Sequence, residues 1–332
     1  MTDDQLLWLS NGLTIGLLTG CVILWLRFFR QPSAERSAFL APRKRIQSPL
    51  GLVDVGMMFL MWAVGISAAI ELAGRETVGS PRTVAIVGIT QLMMTVLTLG
   101  VIAFRYGPSS RIIGLRLPGI LNDVQLGTIV FLMAVPPILL LQALLVQLIP
   151  YEHQSLDMLN NRQGMYTAWF SAVLVAPVCE EIFFRGMLQG WLQRIDLKQW
   201  FAAPQEGGSG GPPFEVIGGG FRHINGDPIE MPKEREGLYF TTGRYIPKLV
   251  TRDSAHVWLP ITIASAFFAS MHLGQGPAPI PLFLLSLVLG YVYHRTHSMI
   301  ACITIHMLLN AFSMAVGTLQ VLRENGAGVA MP

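Results

Sequence analysis

Residues 166–192 read YTAWFSAVLVAPVCEEIFFRGMLQGWL, an apolar run broken near its centre by Glu180, Glu181 and Arg185. At 1.5 Å of rise per residue, a helix of that length reaches about 40 Å, more than the ~30 Å hydrocarbon core of a bilayer. A charged side chain at mid-span costs about 2.5–3.5 kcal/mol on insertion scales and marks function by default. One stretch therefore predicts a membrane-spanning helix and also points to where its chemistry lies.

The rest of the chain agrees. Of 332 residues, 52% are hydrophobic and 13% charged, with mean hydropathy +0.50. A soluble domain carries roughly 25% charged residues. The cysteines at 21, 179 and 302 all lie in apolar runs, so neither a disulfide framework nor a CxxC metal site is available. A net charge of +3 gives no reason to expect a nucleic-acid partner. Apolar stretches near 6–26, 52–73, 83–104, 127–149, 166–192, 257–273, 279–293 and 299–320 predict an all-α, polytopic membrane helix bundle of about eight transmembrane helices. Two of them, 257–273 and 279–293, are short.

Lysine and arginine set the expected topology. The loops after spans one, three, five and seven hold 18 of them, and the opposite set holds only Arg75, Arg82, Arg162 and Arg323. Both termini are therefore expected outside the cytoplasm, in a multi-pass protein of the cell inner membrane. Asp3 and Asp4 stand where a cleavable signal would carry positive charge, and Cys21 reads as a helix residue.

Residues 196–256 interrupt this pattern. Glu206–Pro213 has the composition of a flexible linker. Phe214–Ile217 and Leu238–Thr242 are β-prone, and Asn225-Gly226-Asp227-Pro228 between them is a hairpin signal. Ser209 falls in a formal G-x-S-x-G, but a Gly/Pro linker supplies neither the strand-to-helix elbow nor the buried helix end that such a serine needs.

Three spans carry ionisable or amide groups at depth. Glu181 and Arg185 are spaced i, i+4 and can pair on one helix face, whereas Glu180 is rotated about 100° away and stays free to accept a proton. Phe268 lies one turn before His272, placed to pack beside the imidazole. His306 and Asn310, again i, i+4, present an imidazole and a carboxamide from one face. A lone Glu–Arg pair in a membrane is commonly structural or part of a transport path, and a lone histidine commonly makes one interhelical hydrogen bond. Neither reading explains two carboxylates, an arginine, two histidines and an asparagine gathered in three nearby spans.

In that order, Glu180-Glu181-x-x-x-Arg185, Phe268-x-x-x-His272 and His306-x-x-x-Asn310 resemble the motifs of the CPBP (Abi) intramembrane proteases, which include the type II CAAX prenyl proteases and bacteriocin-processing or immunity proteins. The resemblance covers about residues 127–320. It implies a catalytic helix bundle over 127–320; the three-span segment over 1–126 is matched only by hydrophobicity, the cytoplasmic insertion 196–256 is longer than the family usually carries there, and a short tail follows over 321–332. It also implies hydrolysis of a peptide bond in a membrane-anchored peptide or protein, with membrane lipid as the other partner. Glu180 and His272 would activate water, and His306 and Asn310 would stabilise the oxyanion. Two mechanisms stay open. Glu180, His272 and His306 have the donor types for a zinc ion with an open fourth position; equally, Glu180 can serve as a metal-free general base. No HExxH is present.

Both mechanisms require a polar cavity held open between spans five, six and eight. One count fits poorly: helix rise places Glu180 roughly 9 Å and His272 roughly 22 Å from the cytoplasmic boundary. A transporter using the same polar groups is the competing reading. Gln91, Gln142, Gln147 and Pro136-Pro137 do not assemble an obvious route across the bilayer, nor is an inverted repeat apparent. A third reading is an immunity or scaffold protein that keeps the motifs without activity.

Overall fold

The structure, a computed structural model, describes residues 2–43, 45–46, 48–74, 80–149, 158–160, 162–194, 214–217, 220–223, 249–250 and 257–328. The helices are α1 (Asp3–Arg30), α2 (Ser33–Ala38), α3 (Leu52–Ala73), α4 (Pro81–Tyr106), α5 (Ser109–Ile112) and α6 (Ile120–Leu148), then α7 (Arg162–Leu192), α8 (Trp258–Ser270), α9 (Pro279–Thr296) and α10 (Met299–Gly328). Among the described residues, α1, α3, α4, α6, α7 and α10 are long and apolar enough to cross a membrane. That makes six spans by length and composition where eight were expected. The difference lies in the region already read as short, because α8 has 13 residues and α9 has 18. The last helix also continues to Gly328, beyond residue 320 where the bundle was expected to end.

The outer surface is apolar. Trp8, Ile15, Phe29, Val53, Leu72, Phe104, Leu121 and Leu148 are all exposed, an arrangement a water-soluble protein avoids and a bilayer favours. Inside, α6 packs against α10, α3 against α4, and α8 against α9, while α1 lies against α6 and α10. Helices α6 and α10 approach closely at Gly127, where a Cβ would lie 2.7 Å from the Ala301 carbonyl oxygen. In α6, Pro137 has no amide hydrogen to offer the carbonyl of Met133, one turn before it. The indole of Trp25 donates to that oxygen instead at 3.0 Å, fastening α1 to α6.

One end of the bundle is tied by buried charge. Asp54 at the start of α3 accepts from Arg105 and Tyr106 at the end of α4. Asp123 at the start of α6 pairs with Arg43 at 2.6 Å. Arg194 donates to the carbonyls of Pro49 and Leu50, and Arg295 to that of Leu40. The segments that follow α1, α4, α7 and α9 thus meet at one face.

Four short strands lie outside the bundle: β1 (Arg45–Ile46), β2 (Phe214–Ile217), β3 (Gly220–His223) and β4 (Leu249–Val250). β1 pairs antiparallel with β4, and β2 with β3. The expected strand at 214–217 is present, but its partner is 220–223. A ladder begun two residues later leaves no need for the more distant segment. Leu238–Thr242, the Asn225–Pro228 turn and the Ser209 linker lie outside the described residues.

Candidate active site

Helix α7 is not uniformly α-helical. Two wider π-turns, Phe170–Val175 and Ile182–Gln189, flank an α-helical piece, Ala176–Glu181, that carries both glutamates. Such π-insertions re-aim side chains and recur at functional sites. The first is tied to Pro177. The Ala176 amide reaches back to Ser171, and the amide five residues beyond Ala172 belongs to Pro177, which has no hydrogen to donate. The Ala172 carbonyl is satisfied from another helix, by the Asn310 Nδ2 at 2.7 Å.

The expected Glu181–Arg185 pair is present, with Arg185 Nε donating to Glu181 Oε2 at 2.9 Å and both side chains fully buried. The second Glu181 oxygen lies 2.9 Å from His306 Nδ1. A carboxylate only accepts, so Nδ1 carries the hydrogen in this contact. The other edge of the same ring faces Glu180, with Nε2 to Oε2 at 3.9 Å. One imidazole from α10 therefore sits between the two carboxylates of α7, an arrangement that helical spacing alone does not reveal. The glutamates differ in access: the side chain of Glu180 is 15% exposed and that of Glu181 fully buried.

His272 lies just past the end of α8, its Nδ1 2.9 Å from the Phe268 carbonyl oxygen. Phe268 joins the cluster. Its ring is 4.9 Å from that of His272, 5.9 Å edge-on to that of His306, and 5.5 Å from the Arg185 guanidinium carbon. The depth mismatch between Glu180 and His272 disappears, because α7 continues to Leu192 and Gly290 places Ile261 of α8 level with Gln189 of α7. From that level Glu180 is nine residues back and His272 eleven on, about 14 and 16 Å of rise.

The structure thus brings Glu180, Glu181, Arg185, His272 and His306 around Phe268. Asn310 is one turn from His306, with one of its amide hydrogens committed to Ala172. Glu180, His272 and His306 supply donor types that suit zinc, yet among the described residues no group of three His, Cys, Asp or Glu side chains converges closely enough to hold a metal ion. His306 Nδ1 is held by Glu181, which leaves Nε2, 3.9 Å from Glu180, as the ring nitrogen a metal would take. A small cavity of about 10 Å³, room for about one water, lies between α3, α4 and α7, lined by Met58, Trp62, Met94, Cys179, Phe183 and Met187 among others. None of the candidate residues lines it; among them the Glu180 side chain is 15% exposed and those of Glu181 and Arg185 are fully buried.

Sequence reasoning missed Gln189, Ser265 and Ser286, fully buried polar residues beside this cluster. Their signal was available: Gln189 is one turn beyond Arg185 on the same apolar helix.

A family model described as type II CAAX prenyl endopeptidase, Rce1-like, matches residues 162–204 and 239–312. All six candidate residues fall inside these segments, and the unmatched 205–238 falls inside the insertion. The match supports the resemblance read from the three motifs. Over this region the chain is similar to CAAX-type membrane peptidases, and with its six apolar helices it is an integral membrane protein. No curated protein and no solved structure matches the chain.

Proposed function

We propose that the chain is an intramembrane endopeptidase that hydrolyses a peptide bond in a membrane-anchored peptide or protein, with Glu180 as the base that activates water. The observation that carries this reading is the asymmetry of the two glutamates about His306. Glu181 is neutralised by Arg185 and holds His306 by Nδ1. Glu180 has no such commitment, is the more accessible, and faces the free edge of the same ring. An orienting acid, an imidazole and a poised base within hydrogen-bond reach of one site is what general acid–base chemistry needs.

In this mechanism Glu180 takes a proton from water and the resulting hydroxide adds to the scissile carbonyl carbon. His272, whose Nδ1–H is held by the Phe268 carbonyl, turns Nε2 as an acceptor toward the same water, and the oxyanion is met by the remaining amide hydrogen of Asn310 and by the Nε2–H that His306 carries in its imidazolium form, in a low-dielectric setting where such donors act strongly. Glu180 then delivers its proton to the leaving nitrogen as the C–N bond breaks. No step is routed through a metal. The inner membrane is the proposed location, with both termini outside the cytoplasm.

The reading is tested by Glu180→Ala, His272→Ala and His306→Ala in cells containing a substrate of the enzyme. Each variant should accumulate to wild-type levels and lose cleavage. Normal turnover in all three would overturn the assignment.

A further inference from the structure

Among the described residues, five buried side-chain polar atoms have no hydrogen-bond partner: Arg185 Nη1 and Nη2, Gln189 Oε1, Ser265 Oγ and Ser286 Oγ. All four residues are fully buried, and they belong to three helices packed on one another, α7, α8 and α9. The register between these helices shows how they are grouped. Gln193 at the end of α7 meets His294 of α9 at 3.3 Å. One turn earlier on both helices, Gln189 Nε2 donates to the Gly290 carbonyl at 2.8 Å. A further turn back on each brings Arg185 level with Ser286. On α8, Ile261 lies at the Gly290 level, where a Cβ on that glycine would come 2.7 Å from Ile261 Cγ2. Phe268 lies at the Arg185 level, and Ser265 falls between them. The orphaned atoms therefore form two adjacent layers of a single polar seam, which runs from the end of α7 to the back of the Glu181–Arg185 pair.

Their chemistry selects an occupant. The two Nη atoms offer only donors, Gln189 Oε1 only accepts, and each serine hydroxyl does both. Buried water, with two to four hydrogen bonds to otherwise unsatisfied groups, matches such a mixture. A cation is disfavoured beside the guanidinium. An anion is disfavoured because Glu181 already balances Arg185 and the Gln189 oxygen would face it.

We propose that ordered waters occupy this seam, bridging Arg185 to Ser286, Ser265 and Gln189, and that they form the route by which water enters from the α7 C-terminal end to the catalytic cluster. The second clause rests on the hydrolase reading; the first does not. The seam has a physical rationale in a bilayer enzyme, because lipid supplies no water and a hydrolytic site at depth must be replenished through protein.

The test has two arms on the full-length protein. An experimental structure at a resolution that shows water should contain density about 2.7–3.2 Å from an Arg185 Nη and from Ser286 Oγ. A dry seam, or a peak that behaves as chloride on exchange for bromide, would overturn the proposal. In the second arm, Gln189→Leu with Ser286→Val should lower the single-turnover cleavage rate at least tenfold with KM unchanged, while Ser286→Thr, which keeps the hydroxyl, should retain the wild-type rate. Wild-type rates in the double variant would overturn the route even where water is seen. An inactive wild type would instead count against the hydrolase reading and leave the density to decide the water site.

Discussion

Neighbouring glutamates should respond in opposite ways to the same substitution. Glu181→Gln leaves Arg185 fully buried without its hydrogen-bonded carboxylate and replaces the charged acceptor of His306 Nδ1 by a neutral one. Breaking a buried ion pair from one side costs about 3–5 kcal/mol. Large domains lose roughly 2 °C of Tm per kcal/mol, so the midpoint in detergent should fall by about 6–10 °C. Glu180→Gln removes a carboxylate that is partly exposed and whose nearest charged partner is 3.9 Å away. Contacts of that kind contribute about 0–1 kcal/mol, so its midpoint should move by no more than ~2 °C. Cleavage should follow the other order for Glu180, with losses of about 10²–10⁴-fold for the missing base in a protein that remains folded. Thermal unfolding followed by intrinsic fluorescence, together with a cleavage assay on the same preparations, measures both. A Glu181→Gln protein as stable as wild type beside a destabilised Glu180→Gln protein would refute the division of labour.

Other outcomes follow from the packing. Gly127→Ala sets a Cβ against the Ala301 carbonyl oxygen at 2.7 Å. That atom is backbone and cannot swing aside, so the change should cost about 1–3 kcal/mol, read as a lower unfolding midpoint. Trp25→Phe leaves the Met133 carbonyl only the weak Cys21 thiol donor at 3.6 Å and should cost about 1 kcal/mol; cleavage per folded molecule should stay at the wild-type value. Asn310→Leu removes the amide that donates to the Ala172 carbonyl and one proposed oxyanion donor, so both the midpoint and the single-turnover rate should fall.

Much of the candidate site was legible as spacing. Glu181 and Arg185 at i, i+4 pair as helical geometry requires, and Phe268 one turn before His272 packs on its ring. The bundle was legible as apolar runs; six of the eight expected spans meet length and composition in the structure, and α8 and α9, short or polar at their ends, cannot be told from buried helices on that ground. What spacing does not carry is tertiary choice. Nothing in the period of α10 says that His306 lies between both glutamates rather than over one. The π-turns of α7 are also unreadable from periodicity, yet Pro177 gave a hint: a proline inside a span must orphan a carbonyl, and some donor has to come to it. Asn310 is that donor, just as Trp25 is for Pro137 in α6. In the insertion the first strand was legible at Phe214–Ile217; it pairs with Gly220–His223, and Leu238–Thr242 lies outside the described residues.

The central claim is that Glu180 activates water for peptide-bond hydrolysis inside the bundle. It is met most directly by incubating the purified protein in lipid with a membrane-anchored peptide and identifying the products by mass spectrometry, for wild type and Glu180→Gln, with and without chelator. Our account expects wild type to cut one internal peptide bond, in chelator as well as without it, and the folded Glu180→Gln protein to leave the peptide intact. An uncut peptide with folded wild type, or equal cleavage by both proteins, would contradict it.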